Sequence, residues 1–224
     1  MKLYMHPAST TCRPIMMFIA DNKMKVDMQV VDIMTGEQYQ PAFAAINPSN
    51  AVPVLDDGDF RLTESSAILK YLADKIGSPA YPKDLQKRAR VNEVMDWFNT
   101  GLYRTFGYGL CYAQLLDPYR LKHQLGQSEA VTTAKANAER YLGILEKHFL
   151  GDKQTYLCGE APTIADYFAS GIISLGEVIG CKFAAYPNIR RWYERMHKQP
   201  AWKDANSGVF YWADAVKGPA YVAI

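Results

Sequence analysis

Short strand patterns alternate with helical ones as far as Gly77, and beyond that point only helical periods remain. Such a chain first wraps helices around a small sheet and then packs helix on helix. Leu3 to Met5 reads as a buried strand, and Pro14 suits the first turn of a helix carrying Ile15-Met16-Met17-Phe18-Ile19. Val26, Met28 and Val30 alternate with polar neighbours as a second strand does. Asn47-Pro48-Ser49-Asn50 is a loop cluster, and Val52 is pushed to extended geometry by Pro53. Val54-Leu55, Asp57-Gly58 and Phe60-Arg61-Leu62 make a hairpin. Thr63-Glu64-Ser65-Ser66 offers caps for a helix carrying Ile68, Leu69 and Leu72, and Gly77 suits its end. The predicted order is β-α-β-β-β-α around a mixed four-stranded sheet.

Ser78-Pro79-Ala80-Tyr81-Pro82 breaks the pattern and divides the chain. Residues 1–77 form the first expected domain, 78–84 the linker, and 85–224 an all-α domain with its tail. Val91, Val94, Met95 and Phe98 form one apolar stripe; Ala138, Tyr141, Leu142, Leu145 and Phe149 form another. Thr163 with Asp166 is a capping box, and Ile189, Trp192, Tyr193 and Met196 mark a late amphipathic helix. No element is assigned after Trp202.

Composition narrows the function. Hydrophobic residues are 49% and charged residues 21% of 224, as in a folded globular protein. A formal charge of +2 speaks against a dedicated nucleic-acid surface. The N-terminus lacks a charged-then-apolar leader, and the run Ile15 to Ala20 is too short to cross a bilayer. Cys12, Cys111, Cys158 and Cys181 are scattered, as are His6, His123, His148 and His197. That spacing offers neither a metal site nor a disulfide framework. A cytoplasmic, metal-free protein is expected, with no membrane or nucleic-acid partner.

A strand running into a loop and a helix start is an anion site in waiting, because free N–H groups and the helix dipole converge there. Ala8-Ser9-Thr10-Thr11-Cys12-Arg13 occupies such a loop, and Thr63-Glu64-Ser65 opens a second helix in the same small domain. Together they could hold a peptide-like ligand bearing carboxylates and a thiol. From spacing alone, plain helix caps are the simpler reading of Ser9, Thr10, Thr11, Glu64 and Ser65.

Three segments separate the two readings. LYMHPASTTCRP, NPSNAVPVLDDGDFRLTESSAILKYLADK and TIADYFAS, in that order, resemble the cytosolic glutathione transferases, and the likeness spans nearly the whole chain. The first two segments, with Val31-Asp32-Ile33 between them, are together most similar to the theta and delta type, which carries an active serine where Ser9 stands. The resemblance implies a thioredoxin-like glutathione-binding domain followed by helices. It implies that Ser9 donates a hydrogen bond to the glutathione sulfur and that Pro53 is cis, turning the Val52 backbone toward the co-substrate. Ser65 would take the γ-glutamyl carboxylate and Glu64 its ammonium. Gln38 and Asn50 fall where the family holds the glycine end, often with histidine or lysine, and here both are neutral. Ser66 stands where delta enzymes often have arginine. A homodimer is implied too, the first domain of one copy facing the second domain of the other.

Arg13 would bind loop or second-domain carboxylates. Arg104, Tyr103, Tyr108 and Tyr112 would lie near the sulfur or the second substrate, a small apolar electrophile; Phe106, Trp202, Tyr211 and Trp212 are further aromatic candidates. A glutaredoxin-like thiol exchange is the rival activity, but Ser9-Thr10-Thr11-Cys12 keeps only the second cysteine of C-x-x-C. A beta-type transferase would want cysteine at Thr10. A non-catalytic assembly module on the same fold is the third reading, and Thr10 and Thr11 are the fallback donors.

Overall fold

A computed structural model describes residues 1–217 and 220–224. Strand β1 (Lys2–Met5) alternates half-buried and buried residues, sending Leu3 and Met5 inward. It pairs in parallel with β2 (Asp27–Val30), with Leu3 opposite Met28, and antiparallel with β3 (Val54–Asp57), with Leu3 opposite Leu55. Strand β4 (Phe60–Leu62) closes the hairpin, giving the order β2-β1-β3-β4. Gly58 sits at φ 64°, where a residue without Cβ turns at no steric cost. The mixed four-stranded sheet is the expected one. Helix α1 (Arg13–Asp21) follows β1 with Pro14 in its first turn, and α3 (Ser65–Lys75) follows β4. Between β2 and β3 lie a 3₁₀ turn (Glu37–Tyr39) and the short α2 (Pro41–Ala44), which the strand-to-loop reading did not contain.

From Leu85 onward the elements of the described residues are helices joined by loops. Helix α4 (Leu85–Trp97) runs into a π-wound stretch, Phe98–Tyr112, and then α5 (Ala113–Leu115). Helix α6 (Gln124–Ile144) ends likewise in a π-wound turn, Leu145–Leu150. Helices α7 (Ile164–Ile173), α8 (Leu175–Val178), α9 (Pro187–His197) and α10 (Trp202–Ala215) complete the layer. The segment after Trp202 is therefore a helix, with Trp202, Ala205 and Val209 as its buried apolar contacts. Val91, Val94, Met95 and Phe98 are all fully buried, as their spacing requires. Buried Asp166 accepts from Thr163 N–H (2.8 Å), Thr163 Oγ1 (3.0 Å), Leu157 N–H (2.9 Å) and Trp192 Nε1 (2.9 Å). That one carboxylate ties the α7 start to α9 and to the preceding loop.

Two glycines set how closely the layers meet. A Cβ on Gly171 of α7 would stand 2.6 Å from Pro14 Cγ and 2.9 Å from the Thr10 carbonyl oxygen. One on Gly208 of α10 would stand 2.6 Å from Pro7 Cβ. The loop after β1 is thus pressed between the sheet and the helices.

Candidate active site

The loop after β1 is held from three sides. Ser9 N–H donates to His6 C=O (3.0 Å), Arg13 N–H to Ser9 C=O (3.1 Å), and Cys12 N–H to Ser9 Oγ (3.4 Å). The Ser9 hydroxyl therefore lies at the positive end of α1. Thr11 Oγ1 donates to the Val52 carbonyl at 3.2 Å, which spends the Thr11 proton. The 3.2 Å contact between Ser9 Oγ and Thr11 Oγ1 must then use the proton of Ser9.

Arg13 is 1% exposed. It donates to Ser174 Oγ (2.7 Å), Gly171 C=O (3.1 Å) and Asn206 Oδ1, so it staples α1 to α7 and α10. The expected carboxylate partners are replaced by a hydroxyl, a carbonyl and an amide. Burial lowers the Arg13 pKa, but a guanidinium stays protonated in proteins, so a positive charge is held beneath the loop.

A cleft of about 540 Å³ opens over this loop. Ala8, Ser9, Thr10, Gln38, Asn50 and Val52 form one wall; Tyr103, Tyr108, Tyr112, Tyr119 and Trp212 form the other. The tyrosines pack edge to face: Tyr108 with Tyr112 at 5.3 Å, and Tyr108 with Tyr119 at 5.5 Å, between ring centroids. Tyr112 OH donates to Thr10 Oγ1 at 2.6 Å, and Tyr103 OH meets Tyr112 OH at 3.0 Å. Burial is the main cause that pushes Tyr112 up to about 12 and Tyr103 well above its ordinary value, so both remain protonated donors at neutral pH.

On the loop side, Gln38 Oε1 and Asn50 Oδ1 are buried without a hydrogen-bond partner among the described residues. The Val52-Pro53 peptide is cis, and Val52 N–H makes no hydrogen bond among the described residues. Asn50 and Glu64 sit at φ 52° and 63°, a region that side chains other than glycine seldom adopt. Pro53, Glu64 and Ser65 do not line the cleft itself. Glu64 and Ser65 open α3, and neither side chain has a hydrogen-bond partner among the described residues. Of the possible caps at 63–66, Glu64 takes the N-cap place, and its side chain makes no cap hydrogen bond.

The sequence reading missed Tyr39 and Tyr119, which reach the cleft from two irregular turns. Arg104, expected near the sulfur or the second substrate, does not line the cleft. It lines a separate groove of about 640 Å³ with Thr100, Thr105 and Arg140, facing α6 rather than Ser9. Phe106 and Trp202 are buried in the core, and Tyr211 is 80% exposed outside the cleft, so of the extra aromatic candidates only Trp212 lines it.

Cys12 is fully buried, and that burial raises its thiol to about 11. Cys181 is likewise raised to about 11, Cys158 to about 12 and Cys111 well above its ordinary value, chiefly by burial. A thiol-exchange site needs the opposite shift.

A small sheet domain and a helical domain thus meet at a cleft with one aromatic wall. Residues 1–74 match the glutathione S-transferase N-terminal domain and residues 114–200 the C-terminal domain. The chain is 37% identical over 202 residues to glutathione S-transferase theta-1 of Bos taurus, covering 88% of this chain and 82% of that one. It is 35% identical over 199 residues to the theta-1 protein of Homo sapiens, with the same 88% and 82% coverage. A human theta-class structure in complex with the glutathione conjugate of 1-menaphthyl sulfate aligns at TM-score 0.86 and 31% identity, over 95% of this chain and 88% of that one. A delta-class transferase of Nilaparvata lugens aligns at TM-score 0.78 and 31% identity, over 95% and 96%. The chain belongs to the glutathione S-transferase family.

Proposed function

We propose that this chain joins the sulfur of glutathione to small apolar electrophiles, with Ser9 as hydrogen-bond donor to that sulfur. The carrying observation is the place of Ser9: its hydroxyl opens α1 in a cleft whose far wall is aromatic. Glutathione would lie along Val52, its cysteinyl backbone pairing with the unused Val52 N–H and the Val52 C=O as an added strand. Its glycine carboxylate would accept from the side-chain N–H groups of Gln38 and Asn50, and its γ-glutamyl end would meet Glu64 and Ser65 at the start of α3.

The chemistry needs a thiolate. A free thiol titrates near 8.5, so only about 3% is ionised at pH 7. A hydrogen bond to a charged acceptor contributes roughly 1.5–3 kcal/mol, which lowers that pKa by about one to two units. The thiolate fraction then rises to between about a quarter and three quarters, and the α1 dipole adds in the same direction. The Ser9 proton turns from Thr11 to the sulfur, exchanging a long neutral bond for a charge-assisted one. The thiol proton leaves to solvent; the thiolate pair forms the S–C bond, and the leaving group departs with the pair of the bond that breaks.

The test is the thiolate absorbance of bound glutathione against pH. Ser9→Ala should raise the midpoint by about one to two units while affinity changes modestly, and the rate deficit should shrink toward pH 9. Identical titrations in both proteins would overturn Ser9 as donor. Retention on immobilised glutathione without turnover would favour the assembly-module reading instead.

The same reading makes the chain a cytoplasmic homodimer. Among the described residues no helix is long and apolar enough to cross a membrane. The groove around Arg104 and Arg140 lies away from the Ser9 cleft and would seat the first domain of a second copy. Light scattering that reports a monomer at working concentration would defeat the dimer.

A further inference from the structure

Counting protons in the loop after β1 shows which hydroxyl is free to act. Thr11 gives its proton to the Val52 carbonyl, and Ser9 therefore gives its own to Thr11. Tyr112 gives its proton to Thr10 Oγ1, so the 3.0 Å contact with Tyr103 can form only if Tyr103 donates to Tyr112. The chain of donors runs Tyr103 to Tyr112 to Thr10 and ends there. Thr10 Oγ1 receives a 2.6 Å hydrogen bond, and its own proton has no acceptor among the described residues. Thr10 is 3% exposed and lines the same cleft as Ser9.

Resting on the reading of Ser9 above, we propose that Thr10 is a second catalytic donor to the glutathione sulfur, with Tyr112 and Tyr103 as the positioning residues that aim and polarise it. The polarity has a physical basis. Each hydroxyl that accepts a hydrogen bond becomes a better donor onward, and the gain is largest where water is excluded. Tyr112 donates to the Thr10 oxygen, so the Thr10 proton is turned away from Tyr112 and is free for another acceptor. Ser9 must give up an existing bond to reach the sulfur, whereas Thr10 gives up none. Two donors also fit a thiolate better than one, since sulfur accepts more than a single hydrogen bond. No covalent step is added: the thiol proton still leaves to solvent, and Thr10 keeps its own.

The Tyr112 contact has a local cause. A Cβ on Gly107 would stand 2.3 Å from Tyr103 Cδ2, so glycine there leaves room for the ring that donates to Tyr112. Tyr103, Tyr112 and Thr10 come from both domains, and their contact crosses the domain boundary.

The experiment uses the whole chain with glutathione as the probe and follows thiolate absorbance against pH. Thr10→Val keeps the shape and removes the proton. Its midpoint should rise by about one unit with glutathione affinity little changed. Thr10→Ser should restore the wild-type midpoint, which a packing defect would not do. Tyr112→Phe should raise the midpoint by a smaller amount, because Thr10 keeps its proton but loses its orientation. If Thr10→Val does not fold, Thr10→Ala gives the same reading. A Thr10→Val or Thr10→Ala midpoint equal to wild type, beside a shifted Ser9→Ala, overturns Thr10 and leaves Ser9 standing. A shifted Thr10→Val beside an unshifted Ser9→Ala supports Thr10 and removes Ser9. A Tyr112→Phe midpoint equal to wild type overturns the role of the tyrosine chain.

Discussion

Asp166→Ala should be among the most damaging single changes in the helical domain, although Asp166 lies outside the cleft. The carboxylate is fully buried and accepts four hydrogen bonds, from Leu157 N–H, Thr163 N–H, Thr163 Oγ1 and Trp192 Nε1. The Thr163 hydroxyl can rotate to another acceptor, but the three N–H donors are fixed. A buried donor left unpaired costs at least about 1–1.5 kcal/mol, so the three together come to about 3–5 kcal/mol. At about 2–4 °C per kcal/mol for a chain this long, melting should fall by roughly 6–20 °C. Asp166→Asn keeps one oxygen for Leu157 and Trp192 and sets an amide against Thr163, so it should recover about half of the loss. Circular dichroism melts of the three proteins, without glutathione, give the comparison. An Asp166→Ala melting point within about 2 °C of wild type would refute the claim that these donors have no other acceptor.

Arg13→Met should lower the urea midpoint by the equivalent of about 1–3 kcal/mol with the slope unchanged, since Asn206 Oδ1 loses its buried donor; an unshifted midpoint would show that the staple carries no stability. Glu64→Ala should weaken glutathione binding roughly ten- to hundredfold by calorimetry, and normal binding would mean the co-substrate lies elsewhere. Cys12, with its thiol raised to about 11, should stay unalkylated in the folded protein at pH 7, its reaction growing only as pH rises toward that value; rapid labelling seen by mass spectrometry would contradict its burial. Gly107→Ala should displace the Tyr103 ring and lower turnover more than glutathione affinity, and unchanged kinetics would show that the ring has space to move.

The loop side of the cleft was legible because short-range signals specify it. Ser9 follows a strand and precedes a proline-started helix, and Asn50 and Val52 flank a loop that Pro53 forces into extended chain. The helical wall was harder to read. Tyr103 and Tyr108 are five residues apart, which an α-helical period places on different faces. The π-wound stretch Phe98–Tyr112 bonds i to i+5 and turns both toward Ser9, leaving Arg104 on the other side. No periodicity announces that change of winding. Tyr39 and Tyr119 come from 3₁₀ turns whose direction depends on tertiary contacts. The Arg13 partners lie 158 to 193 residues away, beyond any local pattern.

The glycines at 171 and 208 bear on any attempt to cut this protein in two. Because α7 and α10 touch the backbone of Thr10 and Pro7, the loop bearing Ser9 takes its shape partly from residues more than 150 positions later. An isolated N-terminal fragment would keep the sheet yet lose the mould in which that loop is cast. A chimera that grafts a foreign helical half onto residues 1–84 would meet the same difficulty: unless the donor also carries small residues at both crossings, its helices would ride up on Pro7 and Pro14. Recombination between relatives of this chain should therefore succeed where the two glycines are inherited together with the segment Pro7–Pro14, and yield misassembled protein where they are not.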